Sequence, residues 1–418
     1  MVVDDGEQRA CTAAAGDGDG GGDDHLSGLP DDVLLDILEK VVMDGDAHAA
    51  ARTCILSRWW RHLPWHDITT VSLDVDDFIP DKENACRPVL QVHYRRATDN
   101  LAAALASFLA APPSKRAIDK LHLKLVLTTD DDRVHRVGAL VGDAFDTGRV
   151  KAGAVELEIL AESACAFVDD DDEEQKRLML GNGRRFTRLR RACPGAFRSL
   201  ARLTVHNLWF DGGDTVATIT HLLHGCPALE YLDMFYCGFV PFSVMTIDAP
   251  PESRLATLVF DQCHAAGVEL VNAPKLKEFY YGWVDGEPAV SYGGTPSLKG
   301  ITLENFYDEE HNDGVVYDFK WKLSKLIPEN PGQLERLCIK SFGTKTDNHV
   351  CSAEWRKRWP SPPARQPSPG FKHHHLAELR IRRAFGVAID LPFARMAMEV
   401  AVNLELLAMG VESLECDG

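Results

Sequence analysis

Along most of the chain, apolar residues recur in a word of fixed shape. A leucine-like residue stands at positions 1, 4 and 6, with Cys or an apolar residue at 9, in Leu200-Leu203-Val205-Leu208, Leu229-Leu232-Met234-Cys237 and Leu255-Leu258-Phe260-Cys263. The word continues at Leu276-Phe279-Tyr281-Val284, Leu298-Ile301-Leu303-Phe306 and Leu334-Leu337-Ile339-Phe342. Later copies are Leu376-Leu379-Ile381-Ala384 and the shorter Leu404-Leu407-Met409, and an earlier one is Ile118-Leu121-Leu123-Val126. Successive first positions from Leu200 lie 29, 26, 21, 22, 36, 42 and 28 residues apart. A short strand followed by a return segment of variable length has this signature, and such units must stack because one alone cannot bury its apolar face. Residues 1, 4, 6 and 9 are expected to point inward, and residues 5 and 7 outward.

The pattern predicts return helices at Asn100–Ala111, Val134–Phe145, Val216–Leu223 and Phe393–Val402, and a strand over Ile68–Val75. Proline words at Cys226-Pro227-Ala228-Leu229, Ala273-Pro274-Lys275-Leu276 and Thr295-Pro296-Ser297-Leu298 are expected to end a return segment before the next strand. Two insertions are expected: an acidic run at Asp169–Glu174 followed by an arginine-rich cluster, near 169–185, and a proline-rich loop within Lys345–Lys372, near 345–369. Gly181-Asn182-Gly183 reads as a lone turn. Between Val75 and Leu200 the pattern is weakest and leaves the repeat count open.

Near the N-terminus the period changes. Val33, Leu34, Ile37, Leu38 and Val41 form a helical stripe, opened by Pro30 with Asp31 and Asp32 in the first turn. A second helix is expected over Ala47–Thr53 and a third from Leu56 to His62. Three helices in so short a stretch bury little apolar surface and need a partner. Residues 1–24 are rich in Gly, Ala and Asp and predict a disordered tail.

Composition narrows the function. The net charge of −18 over 418 residues argues against binding nucleic acid by neutralising phosphates. No apolar run is long enough to span a bilayer, and the 11 cysteines form no CxxC pair, which fits reduced thiols in the cytoplasm or nucleus. No nucleophile elbow, metalloprotease helix or phosphate-binding loop occurs, so no catalytic residue, metal or cofactor is assigned and the chain is read as non-enzymatic. His373-His374-His375 reads as a strand entry. Cys226, Cys237 and Cys263 read as core residues at repeat positions. The basic cluster from Lys176 to Arg202 reads as a solvated surface balancing the acidic run, with a nuclear-import signal or an acidic-partner patch as the sharper alternative.

The LPDD word at Leu29–Asp32 and the RTCILSRWWRHL word at Arg52–Leu63 resemble the F-box of plant proteins. The CPALEYL word at Cys226–Leu232 resembles plant F-box/leucine-rich-repeat proteins, and the stretch from Phe371 to Leu407 resembles the FBD-like C-terminal region of the grass members. The resemblance implies an α/β chain: residues 25–65 a three-helix F-box, 66–369 an irregular leucine-rich-repeat solenoid, and 370–418 FBD-like repeats. In such a solenoid parallel strands line the concave side, with variable helices and loops on the convex side. It implies docking on a Skp-type adaptor, and through it on a cullin, by Leu29, Pro30, Val33, Leu34, Ile37, Leu38, Cys54, Leu56 and Trp60. The implied role is substrate recognition in a ubiquitin ligase of the Skp–cullin–F-box type, bringing a target close to transferred ubiquitin.

Strand alternation nominates His206, Asp233, Phe235, Asp261, Tyr280, Glu304, Lys340 and Arg380 to contact the target protein. Trp283 beside Tyr280 is a further candidate. Trp59, where the family commonly has arginine, and the long acidic turn after the first helix motivate a second reading, a protein-binding scaffold outside any ligase. A small-ligand sensor is the third.

Overall fold

A computed structural model describes residues 29–30, 33–34, 36–37, 40, 69–79, 87–109, 117–128, 131–161, 172–211, 215–284, 289–308, 334–344, 373–383 and 401–411. The expected tail at 1–24, the second and third N-terminal helices, and the proline-rich loop at 345–372 lie outside these residues, as does nearly all of the helix expected at Phe393–Val402.

The chain is α/β, and its main sheet is wholly parallel. Eleven strands follow one another across it: β1 (Thr70–Asp74), β2 (Lys120–Leu127), β3 (Val155–Ala161), β4 (Leu200–His206), β6 (Tyr231–Phe235), β9 (Thr257–Asp261), β11 (Glu278–Val284), β13 (Gly300–Asp308), β14 (Arg336–Thr344), β15 (Glu378–Arg383) and β16 (Leu406–Val411). Their order in the sheet is their order in the chain, consistent with a leucine-rich-repeat-like solenoid. The strand expected over 68–75 is β1, and the weak region before Leu200 supplies β2 and β3. The stretch resembling the FBD region extends the same sheet as β15 and β16.

Positions 4 and 6 of each word stack into two continuous apolar rungs. One runs Leu232, Leu258, Phe279, Ile301, Leu337 and Leu379, and the other Met234, Phe260, Tyr281, Leu303, Ile339 and Ile381. All are buried. Burying one such side chain is worth about 1.5–3 kcal/mol, so the rungs dominate cohesion between repeats.

Three turn features recur. The proline words each close a tight turn, with the N–H of Leu229, Leu276 and Leu298 donating to the carbonyls of Cys226, Ala273 and Thr295 at 3.0, 3.2 and 3.2 Å. At position 8, Asn207, Tyr236 and Gln262 are left-handed (φ 59°, 50° and 49°), which ends the strand and turns the chain toward its return path. At position 9, the thiols of Cys237 and Cys263 donate to the position-6 carbonyls of the preceding repeat, Val205 at 3.6 Å and Met234 at 3.1 Å. These cysteines are core residues, as their positions imply, and they also satisfy a carbonyl.

Among the described residues, return segments lie on the apolar side and are of two kinds. The first are helices: α1 (Arg87–Leu109), α2 (Asp131–Asp146), α3 (Asp172–Ala192), α4 (Pro194–Arg198) and α5 (Thr215–Gly225). The second are strands. β5 (Trp209–Asp211) pairs with β7 (Gly238–Val240), while β8 (Val244–Asp248), β10 (Gly267–Asn272) and β12 (Val290–Gly294) make a three-stranded parallel sheet. One core joins Leu105, Val141, Phe186, Leu270 and the strand leucines.

Two sequence expectations change here. The segment near 169–185 contributes a return helix, α3, whose Phe186 and Leu189 are buried. Gly181-Asn182-Gly183 lies inside that helix and makes no turn. A Cβ on Gly183 would overlap the backbone carbonyl of Trp209, so glycine is what lets α3 press against β5.

Candidate protein-interaction face

On the side of the main sheet opposite the leucine rungs, the outward positions also align into rungs. In the middle rung stand Asp74, Lys124, Glu158, Thr204, Asp233, Val259, Tyr280, Thr302, Cys338 and Arg380. The rung above it carries His206, Phe235, Asp261, Gly282, Glu304 and Lys340. All eight nominated target-facing residues therefore fall on one face, within two adjacent rungs. Arg380 is exposed, Glu304 is buried, and the other six are half-buried.

The side chains interlock. The His206 and Phe235 rings lie 5.1 Å apart. The Tyr231 hydroxyl donates to Asp233 Oδ2 at 3.0 Å, and the Arg202 guanidinium stands 3.8 Å over the Tyr231 ring. The Tyr280 hydroxyl donates to Asp261 Oδ1 at 3.4 Å, and Lys340 Nζ pairs with Glu304 Oε2 at 3.2 Å. In the lower rung Arg336 pairs with Glu278, and Glu378 pairs with Arg380.

Burial pushes Asp233 above the usual carboxylate range. Asp261 is pushed up to about 7, first by burial and then by the nearby Glu304 and Asp233, with Tyr280 and Lys340 opposing. Tyr280 is raised by burial and by the carboxylates of Asp261 and Glu304. Burial lowers His206, against the pull of Asp233.

Alternation alone did not single out Tyr231, which orients Asp233, or the buried Gly282, across which the Tyr280 hydroxyl reaches both Asp261 and Glu304. It also missed a cluster at the start of the sheet. There Lys124 Nζ lies 3.0 Å from both Asp74 Oδ2 and Asp76 Oδ2, and the Tyr94 hydroxyl donates to Asp76 at 3.3 Å. Burial disfavours the Lys124 charge, yet these two hydrogen bonds hold its pKa raised. Asp76 follows the strand in a short 3-10 turn, where period-two reading ends.

Of the nominated adaptor residues, Leu29 is half-buried, Pro30 exposed, Val33 39% exposed, Leu34 fully buried and Ile37 half-buried. The Leu34 N–H donates to the Pro30 carbonyl at 3.0 Å, as expected of a first helical turn. Leu38, Cys54, Leu56 and Trp60 lie outside the described residues, as does the Trp283 side chain.

Among the described residues, no three His, Cys, Asp or Glu are grouped to hold a metal, and no helix is long and apolar enough to cross a membrane. His373 is buried at the entry to β15, where its Nδ1 accepts the Leu376 N–H at 2.9 Å and the His375 N–H at 3.3 Å. The basic cluster is dispersed: Arg184 pairs with Asp211, Arg198 with Asp146 at 3.4 Å, and Arg202 sits on Tyr231.

No family model matches the chain. It is 28% identical over 259 residues to an F-box/FBD/LRR-repeat protein of Arabidopsis thaliana, a span of 61% of this chain and 51% of the relative. The chain thus spans about half the length of the curated relative it matches. The relative's name gives the three features that the sequence words resemble, and the likeness is consistent with a plant F-box/leucine-rich-repeat protein.

Proposed function

We propose that the chain is a substrate-recognition subunit of a Skp–cullin–F-box ubiquitin ligase. The N-terminal module docks on a Skp-type adaptor, and the outward rungs of the main sheet hold a target protein. The chain supplies proximity, raising the effective concentration of target lysines near ubiquitin carried by other subunits. The observation that carries this reading is an eleven-stranded parallel sheet, ordered along the chain, lying downstream of the F-box words and presenting two rungs of half-exposed polar and aromatic side chains. The name of the Arabidopsis relative supports it.

The test is capture of the full chain by a plant Skp-type adaptor, beside a Leu29→Ala/Pro30→Ala double variant. These two positions are chosen because Leu34 is fully buried and its loss would test folding instead. Capture of the wild type and loss with the folded double variant are expected. A folded wild type that the adaptor does not capture defeats the ligase reading and leaves the scaffold.

A further inference from the structure

From β4 to β15, the two upper rungs of the outward face carry opposite signs on either side of the β13–β14 boundary. On the two upper rungs from β4 to β13 stand Asp233, Asp261 and Glu304, with no Lys or Arg. On β14 and β15 the same rungs carry Lys340 and Arg380, with Arg382 the register partner of Lys340, and no acid; Arg380 pairs with Glu378 of the rung below. One ion pair, Lys340 to Glu304, crosses the boundary. Adjacent strands lie about 4.8 Å apart, so the four steps from β9 to β15 separate the two ends by roughly 19 Å. Phe235, Tyr231 and Tyr280 stand half-buried among the acids, the kind of side chain that anchors interfaces.

We propose that this face binds a protein segment of complementary two-signed charge, cationic over β6, β9 and β13 and acidic over β14 and β15. The proposal rests on the target-recognition reading above and names the chemistry of that target. A nucleic acid or an anionic membrane presents a single sign and would be repelled by the acidic end.

At the acidic end Lys340 reaches in from β14 to pair with Glu304, and Asp261 stays raised. Asp261 faces Glu304 on β13, Tyr280 on β11, Asp233 on β6 and Lys340 on β14, with the buried Cys263 thiol close by. The acids and burial prevail over Tyr280 and Lys340, so its carboxyl holds a proton up to about pH 7. Gly282 lies buried between Asp261 and Glu304 in the rung, and the Tyr280 hydroxyl reaches across it to both carboxylates, so a cation reaches Asp261 from its half-exposed side. A lysine or arginine arriving there does what the proton does now, so binding releases the proton and tightens as pH rises through 7.

The test uses the full chain and two fluorescent peptides of identical composition. One has an arginine block, a Gly-Ser spacer and a glutamate block, and in the other the same residues alternate. Anisotropy is expected to show the block peptide binding about tenfold tighter, a difference near 1.4 kcal/mol. That preference is expected to disappear in Asp233→Asn/Asp261→Asn and in Lys340→Gln/Arg380→Gln. Wild-type affinity for the block peptide is expected to rise from pH 6 to pH 8, and Asp261→Asn to flatten the rise. Should a double variant fail to melt cooperatively, Arg380→Glu at an exposed position replaces it and is expected to weaken block-peptide binding.

Equal binding of the two peptides, or a preference that survives these substitutions, overturns the proposal. Adaptor capture is read on the same protein preparations. Peptide failure with capture intact removes the two-signed surface alone, whereas absent capture removes the ligase reading.

Discussion

Among the described residues, the helical returns of the early repeats and the strand returns around β8, β10 and β12 bring the chain back in different ways. From Lys120 to Val155, 35 positions, the chain comes back through the 16-residue helix α2. From Leu255 to Leu276 and from Leu276 to Leu298, 21 and 22 positions, it comes back through the strands β10 and β12, of six and five residues. The rise per residue explains the difference. Six extended residues cover about 20 Å, whereas a helix needs about 13 residues for the same distance before any connection is added. Short repeats have no room for a helix.

The two kinds of return also differ in where their backbone hydrogen bonds go. A return helix satisfies its own N–H and C=O groups and leans on the sheet through side chains such as Val134, Val137 and Val141. The return strands bond to the neighbouring repeat instead, as in the Val268 N–H to Ala289 carbonyl bond at 2.7 Å. Damage should stay local in the helical returns and spread in the strand returns.

Proline at two exposed sites tests this with the largest effect. Glu269→Pro, in the central strand of the β12–β10–β8 sheet, is expected to cost more than about 3 kcal/mol and to raise hydrogen exchange in β8 and β12 as well as β10. Ala139→Pro, on the exposed side of α2, is expected to cost about 3 kcal/mol with exchange confined to that helix. Equal spreading in the two variants would break the comparison.

A methyl group at the α3–β5 contact gives a middle-sized effect. Gly183→Ala has no space against the Trp209 carbonyl, so the helix must lift, at about 1–3 kcal/mol in chemical denaturation. Exchange in β10 and β12 should be unchanged, because α3 does not bond to those strands.

The smallest effect is expected at the thiols. Cys263→Val keeps the volume but removes the donor to the Met234 carbonyl, at about 1 kcal/mol, and Cys263→Ser should fall nearer the wild type. Denaturant midpoints of the three proteins decide it, and a valine as stable as cysteine would return the residue to simple packing.

Much of this was readable in advance at particular residues. Leu229, Leu232 and Met234 announce a strand because three apolar side chains at fixed spacing admit one buried face, and Asp233 between them had to point outward. β3 falls outside the word: Val155, Leu157 and Ile159 alternate with Glu156 and Glu158, but Glu162 stands where the word has an apolar residue at position 9. α3 was hidden because Asp172 to Arg191 is so charged that Met179, Phe186 and Leu189 do not stand out as a stripe.

The sequence by itself determined the rungs: which residues face the core, which face outward, and therefore the set of side chains available for recognition. Periodicity encodes these, since a strand offers two faces and the apolar residues can occupy one. The tertiary structure decided which outward residues meet. Asp261 and Glu304 are 43 positions apart in the chain, and only the register of β9, β11 and β13 sets them on either side of Gly282. Their mutual repulsion and shared burial, which raise Asp261, follow from through-space distance and desolvation, quantities that no local pattern contains.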